Sequence, residues 1–165
     1  MQAVKSVAQY VEVLPHRQKP RRLLHIVGSF CKDQPCGKVL VFAATKRTVE
    51  DLVYEMRKAG FKCLAIHGDK EQQERDWVLH QFRAGTCSIL VATDVASRGL
   101  DVNDIMLVIN FDMPNQISDY VHRIGRTGRA GKIGTAYSFF TEDDASTGKF
   151  GSQVCCTEDS KALWP

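Results

Sequence analysis

Residues 120–129 read Tyr-Val-His-Arg-Ile-Gly-Arg-Thr-Gly-Arg, which places three arginines and a histidine around two glycines. Arginine is permanently cationic, and its planar fork matches phosphate oxygens two at a time. Arg126 and Arg129 converge on one anion if the segment between them is turn-like or helical. Gly125 and Gly128 let the backbone turn where side chains would clash. A stretch rich in glycine and arginine can also be a solvated loop. That reading explains the composition but not the uncharged, periodic flank Ile117-Ser118-Asp119-Tyr120-Val121. The flank suits a helix that opens near Gln116 and finishes through His122 and Arg123. The stretch therefore reads as a device for handling phosphate.

A second constellation follows Val91-Ala92, where 93–101 read Thr-Asp-Val-Ala-Ser-Arg-Gly-Leu-Asp. A strand ending in Thr93-Asp94 offers a hydroxyl and nearby backbone N–H groups to a phosphate. Arg98 adds charge, Gly99 removes a side chain where a ligand could approach, and Asp101 is an acceptor suited to ribose hydroxyls. Taken alone, Asp94 and Asp101 are equally well read as turn and cap residues. Beside the arginine stretch, the ligand reading prevails. At 67–75, His-Gly-Asp-Lys-Glu-Gln-Gln-Glu-Arg marks a strand-to-helix junction. Gly68 permits close approach, and Gln72 and Arg75 share one helical face. By itself this segment reads better as a solvated first turn capped by Asp69. In Val41-Phe42-Ala43-Ala44-Thr45-Lys46, Phe42 suits the core.

The elements that must position these groups follow from periodicity. Alternation over 4–13 predicts a strand ended by Pro15. Leu23, Leu24, Ile26, Val27 and Phe30 have helical spacing, closed by Gly37. The continuous apolar run 38–43 suits a strand covered on both faces. Thr45 caps a helix with Val49, Leu52, Val53 and Met56 as its stripe, stopped by Gly60. The unit repeats, with a strand at 61–66, a helix carrying Trp77, Val78, Leu79 and Phe82, and a stop at Gly85. A strand at 87–92, a short turn or helix at 96–100, a strand at 105–111, a helix at 116–123 and a last strand at 134–140 complete the series. Strands alternating with helices at short spacing indicate a doubly wound α/β fold, whose ligands sit beyond the carboxyl ends of the strands.

Composition sets bounds. A chain of 165 residues with 44% hydrophobic and 25% charged content fits one domain with a sizeable core. The net charge is only +3, so charge matters through its distribution. One basic cluster is 123–132. The other, 16–22, reads as a solvated helix start. No apolar run reaches the ~20 residues of a membrane span, and the amino terminus lacks a signal-peptide pattern. The six cysteines, with no C-x-x-C spacing, read as buried small hydrophobes in a reducing, intracellular compartment, nucleus or cytoplasm, with no metal site. Beyond Asp144 the apolar period is lost. Residues 145–165 therefore read as a poorly ordered tail, with Leu163 and Trp164 as candidate anchors.

His122-Arg123-Ile124-Gly125-Arg126-Thr127-Gly128-Arg129 resembles the last signature motif of DEAD-box RNA helicases. Residues 93–101 resemble the motif before it, at the family's spacing. The Gly-x-x-x-Gln-x-x-Arg pattern from Gly68 resembles an RNA-contacting segment, and 41–46 the first motif of the same half. Helicase families close to this one usually carry Gln where His122 stands. The resemblance covers about 6–144 and implies a RecA-like, Rossmann-type three-layer domain with a mostly parallel sheet flanked by helices. It implies the C-terminal half of an ATP-dependent RNA helicase. The sequence contains no Gly-x-x-x-x-Gly-Lys-Ser/Thr loop, so the nucleotide-holding first half is expected elsewhere. ATP would be the cofactor, with Mg2+ held mainly by that first half.

The resemblance further implies arginine fingers at Arg126 and Arg129, with His122 linking the phosphate site to RNA contacts. Gly99 and Asp101 would contact the nucleotide. Thr45, Gly68, Gln72, Arg75, Thr93 and Arg98 would contact RNA. The expected partners are single-stranded RNA or an RNA duplex and the N-terminal RecA-like domain, the protein being monomeric, away from membranes and unable to hydrolyse ATP by itself. The family's further amphipathic helix after Asp144 is not evident in the tail. A stand-alone RNA-docking scaffold is the alternative. A small-molecule Rossmann enzyme is disfavoured because no Gly-x-Gly-x-x-Gly follows the first strand.

Overall fold

Three strands with almost unbroken apolar sequence form the middle of the sheet: β2 (Lys38–Phe42), β4 (Ile89–Ala92) and β5 (Ile105–Asn110). Their side chains are apolar on both faces because helices cover both faces. The computed structural model describes residues 6–97, 100–146 and 160–163. Around the three lie β1 (Val7–Val13), β3 (Cys63–Ile66), β6 (Gly134–Phe140) and β7 (Ser160–Leu163). The strand order among the described residues is β3-β4-β2-β5-β6-β1-β7, and every pairing is parallel.

The helices are α1 (Lys19–Asp33), α2 (Lys46–Lys58), α3 (Gln72–Ala84), α4 (Asp94–Ser97), α5 (Ile117–Ile124) and α6 (Glu142–Ser146). On one side, Leu23 and Val27 of α1 and Val49, Val53 and Met56 of α2 share a core with Val39, Val41, Val91 and Ile109. On the other, Val78 and Phe82 of α3, Ala96 of α4 and Tyr120 and Ile124 of α5 meet Leu40, Phe42, Leu90, Val108 and Ala136. Successive residues of β2 thus divide between the two cores, as the alternation of a strand requires. The outcome is the three-layer arrangement expected from sequence.

The first basic cluster departs from expectation. Lys19 is fully buried rather than solvated, and its ammonium donates to Asp112 Oδ1 at 3.1 Å. Arg22 reaches back to Glu12 of β1 through two bonds of 2.6 and 2.5 Å. These cations fasten α1 to strand ends, which hydropathy cannot distinguish from a solvated turn. Strand 134–140 is also not the last. Within the tail, β7 pairs with β1 from Gln9↔Ser160 to Glu12↔Leu163. Backbone pairing needs no apolar period, so composition did not announce it. Residues 147–159 and Trp164 lie outside the described residues.

Cys63 and Cys87 are buried as expected, whereas Cys36 is exposed and Cys31 half-buried; all four are free thiols. Burial pushes the Cys63 thiol up to about 11. Among the described residues no group of three His, Cys, Asp or Glu side chains is placed to hold a metal, and no helix is long and apolar enough to cross a membrane.

The turn after α5 is locked against the sheet. Thr127 Oγ1 donates to the Ile105 carbonyl at 2.6 Å, and Ser6 Oγ to the Gly128 carbonyl at 2.7 Å. A Cβ on Gly134 would fall 2.2 Å from Thr127 Oγ1 and 2.4 Å from the Gly128 nitrogen. Gly134→Ala should therefore cost about 1–3 kcal/mol through forced displacement of backbone. Gly68→Ala, with nothing within 4 Å of its Cβ, should be nearly neutral. Denaturant unfolding of the two variants reads the difference.

Candidate functional site

Asn110 ends the apolar run of β5 and is wholly buried. A buried amide must be paired, and its Nδ2 donates to Ser138 Oγ of β6 at 3.0 Å. Its carbonyl oxygen accepts from Arg123 Nη1 at 3.2 Å. Arg123 projects from α5 into the sheet side and is only 3% exposed. It makes a two-pronged pair with Asp94 through Nε and Nη2, each 2.6 Å long. Nη1 also donates to the Asp112 carbonyl at 2.7 Å, and the guanidinium lies 5.0 Å from the Phe42 ring centre. One side chain thus joins α5 to α4 and to the carboxyl ends of β2 and β5. The sequence places Arg123 in the stretch read as a phosphate-handling device; here it is saturated by partners within the chain.

The arginines that follow are different. Arg126 is half-buried and donates through Nη1 to the Leu100 carbonyl at 3.2 Å. Arg129 donates through Nε to the Gly125 carbonyl at 2.8 Å. Among the described residues neither forms an ion pair with a carboxylate, unlike Arg22, Lys38 and Arg123. Burial and the nearby Arg129 charge both pull the Arg126 guanidinium below its ordinary value. It remains a cation, held beside another and without a carboxylate partner among the described residues. His122 is exposed and lines a pocket with Phe42, Asp94, Ser97, Asp119, Arg123 and Arg126.

The arginines do not sit at the mouth of the sheet. Arg123 lies near the carboxyl ends, but Thr127 already bonds the first residue of β5, so α5 and its turn run down the flank. Of the remaining candidates, Thr45, Gly68, Gln72, Arg75 and Thr93 gather at the carboxyl ends. Thr45 accepts from the Thr48 N–H at 3.1 Å and caps α2 after β2. Gly68 is exposed after β3, and Gln72 opens α3, with its amide on Asp76 at 2.8 Å. Arg75 is half-buried, and its Nε is buried without a hydrogen-bond partner. Thr93 follows β4, half-buried, with its N–H on the Ile66 carbonyl at 3.2 Å. Asp101 is exposed. Arg98 and Gly99 lie outside the described residues.

His67 connects two of these junctions. It is buried, and its Nε2 pairs with Glu50 Oε1 of α2 at 2.7 Å. Burial pushes the Glu50 carboxyl up, but His67 and Lys70 outweigh that and leave it below its ordinary value. Glu50, Asn110, Asp112 and Ser138 went unnoticed in the sequence. Only Asn110 carried a usable signal, as a polar residue inside an otherwise apolar strand.

The chain matches the helicase conserved C-terminal domain over residues 18–131. It is 53% identical over 146 residues to the ATP-dependent RNA helicase DBP2 of Candida glabrata, an alignment spanning 88% of this chain and 27% of that protein. It resembles the E. coli DEAD-box protein SrmB bound to regulator of ribonuclease activity A, with TM-score 0.81 and 34% identity over 98% of this chain and 92% of the other. The chain belongs to the DEAD-box helicase C-terminal domain family. S. cerevisiae Dbp5 bound to RNA and ADP BeF3 superimposes with TM-score 0.79 and 28% identity, covering 99% of this chain and 44% of that one. The DEAD-box domain described here has their RecA-like fold, and it spans about a quarter of the length of the DBP2 protein it matches.

Removing one partner of a buried ion pair leaves the other charge uncompensated. Arg123→Gln should lower the unfolding free energy of this DEAD-box domain by about 3–5 kcal/mol. Arg123→Lys should recover only part of it, because an ammonium cannot make the two-pronged contact. Equilibrium unfolding in urea measures both.

Proposed function

We propose that this domain is the second RecA-like half of an ATP-dependent RNA helicase. The observation that carries the reading is the pair Arg126 and Arg129, two adjacent guanidiniums on the flank of the sheet that lack a carboxylate among the described residues. A protein that needed them only for stability would neutralise them as it neutralises Arg123. An ATP γ-phosphate presented by a facing first domain supplies the missing anion. The donors present fit that group: two forks, each with N–H groups to spare beyond one carbonyl bond.

In this mechanism the first RecA-like domain holds ATP and Mg2+. Arg126 and Arg129 reach across the cleft on closure and stabilise charge that develops as the terminal phosphoryl transfers to water. A finger of this kind is worth ~10³–10⁵ in rate. His122, exposed between Asp94 and Arg126, relates the arginines to the RNA side and to the facing domain. Asp101 and Gly99 take the nucleotide's ribose side. Thr45, Gly68, Gln72, Arg75, Thr93 and Arg98 carry the RNA backbone along the strand ends. Such contacts bear no sequence information, so binding is sequence-tolerant and weakens with salt. Bending of the bound strand separates a short duplex, and ATP turnover resets the clamp. S. cerevisiae Dbp5, of the same fold, is bound to RNA and ADP BeF3, which supports a domain of this kind working with both ligands. The working unit is a monomer with both RecA-like halves, in a reducing intracellular compartment.

Joined to a first RecA-like half, Arg129→Ala should lose ATP turnover by at least ~10³-fold while keeping its unfolding midpoint. Wild-type-like turnover would remove the finger assignment. The purified domain by itself should hydrolyse no ATP with or without RNA, and RNA-stimulated hydrolysis by it would overturn the half-enzyme reading.

A further inference from the structure

The amino end of α2, like that of α1, runs against the usual charge preference. Helix starts favour acidic residues, because their free N–H groups present partial positive charge. Helix α2 instead opens with Lys46 and Arg47 and has no acidic residue in its first turn. The anion comes from elsewhere: Asp69, in the turn after β3, forms an ion pair with Lys46. Both side chains are well solvated, at 61% and 59% exposed. The pair therefore holds nothing together that a competing anion could not replace, since exposed pairs contribute little.

Its location gives that weakness a purpose. Thr45 adjoins Lys46, and Gly68 adjoins Asp69 in the neighbouring turn. Gly68 has open space where a side chain would stand. Lys70, next along, is engaged with Glu50 and Glu74, so it does not compete for Asp69. The carboxylate is thus an anion held on the ammonium of Lys46, the first residue of α2, between two turns assigned to RNA.

We infer that Asp69 is a built-in stand-in for an RNA phosphate: it occupies the Lys46 ammonium in the unliganded domain and is displaced when a single strand binds. This rests on the assignment of the strand-end row to RNA. Lys46 is then a further phosphate ligand, and Asp69 sets affinity by competition. The carboxylate left facing the incoming strand also repels it, which keeps weak, non-productive binding low.

Fluorescence anisotropy of a labelled decauridylate titrated with the 165-residue chain tests it across a salt series. Asp69→Asn should tighten binding about two- to fivefold at low salt, the size of one exposed charge pair. Lys46→Gln should weaken binding and reduce the logarithmic salt slope by about 0.7. In the Lys46→Gln background, Asp69→Asn should lose most of its gain. Asp69→Ser, which lacks any negative charge, should repeat the Asp69→Asn result. Arg75→Ala serves as the reference for the RNA face. If Arg75→Ala weakens binding but the Asp69 variants leave it unchanged or weaker, the competition is refuted while the RNA face stands. If Arg75→Ala and Lys46→Gln are both silent, the RNA assignment itself fails, and the inference with it.

Discussion

The contact between Arg123 and Asp94 governs the geometry of the whole site. A guanidinium with two 2.6 Å bonds to one carboxylate, one bond to Asn110, one to the Asp112 carbonyl and an aromatic face beneath it has almost no freedom. Its burial carries a large desolvation cost, which only this degree of satisfaction offsets. The result is directional as well as cohesive. Helix α5 cannot rotate or slide without breaking the pair, so the turn that carries Arg126 and Arg129 is presented at a fixed place. Helix α4 is fixed by the same contact from the other side, and with it the Thr93 turn.

Charge is used in two opposite ways in this domain. Lys19, Arg22, Lys38 and Arg123 each meet a carboxylate of another element or loop. Arg126, Arg129 and Arg75 meet none among the described residues, and Arg75 leaves a buried N–H unpaired. Distinguishing the two groups requires three-dimensional partners, because all are basic residues near strand ends. The unpaired group divides again by location. Arg75 belongs with Thr45, Gly68, Gln72 and Thr93 at the carboxyl ends, whereas Arg126 and Arg129 lie on the flank. The two groups of unpaired cations are therefore separate in space.

Much of the architecture was legible because binary patterning decides it. The unbroken runs of β2, β4 and β5 declared a sheet covered on both sides, and the stripe Val49, Leu52, Val53, Met56 declared α2. Thr45 was readable as a cap because capping is a local interaction. The roles of Lys19 and Arg123 were not readable. Each depends on a carboxylate or carbonyl supplied from across the fold: Asp112 lies 93 positions from Lys19, and Asp94 lies 29 from Arg123. Strand β7 was hidden for a different reason, since an edge strand held by backbone bonds imposes no side-chain pattern. The general rule that ligands of α/β folds sit beyond the carboxyl ends of the strands did not locate Arg126 and Arg129 either. The turn bond from Thr127 to Ile105 shows instead how far down the flank they lie.

The most direct measurement is a structure of this domain joined to a first RecA-like half, with RNA and ADP–beryllium fluoride bound. The account predicts that the Arg126 and Arg129 guanidiniums each lie within about 3 Å of a fluoride, with the Arg123–Asp94 pair unchanged. A closed complex in which both arginines remain on the Leu100 and Gly125 carbonyls, away from the nucleotide, would contradict it.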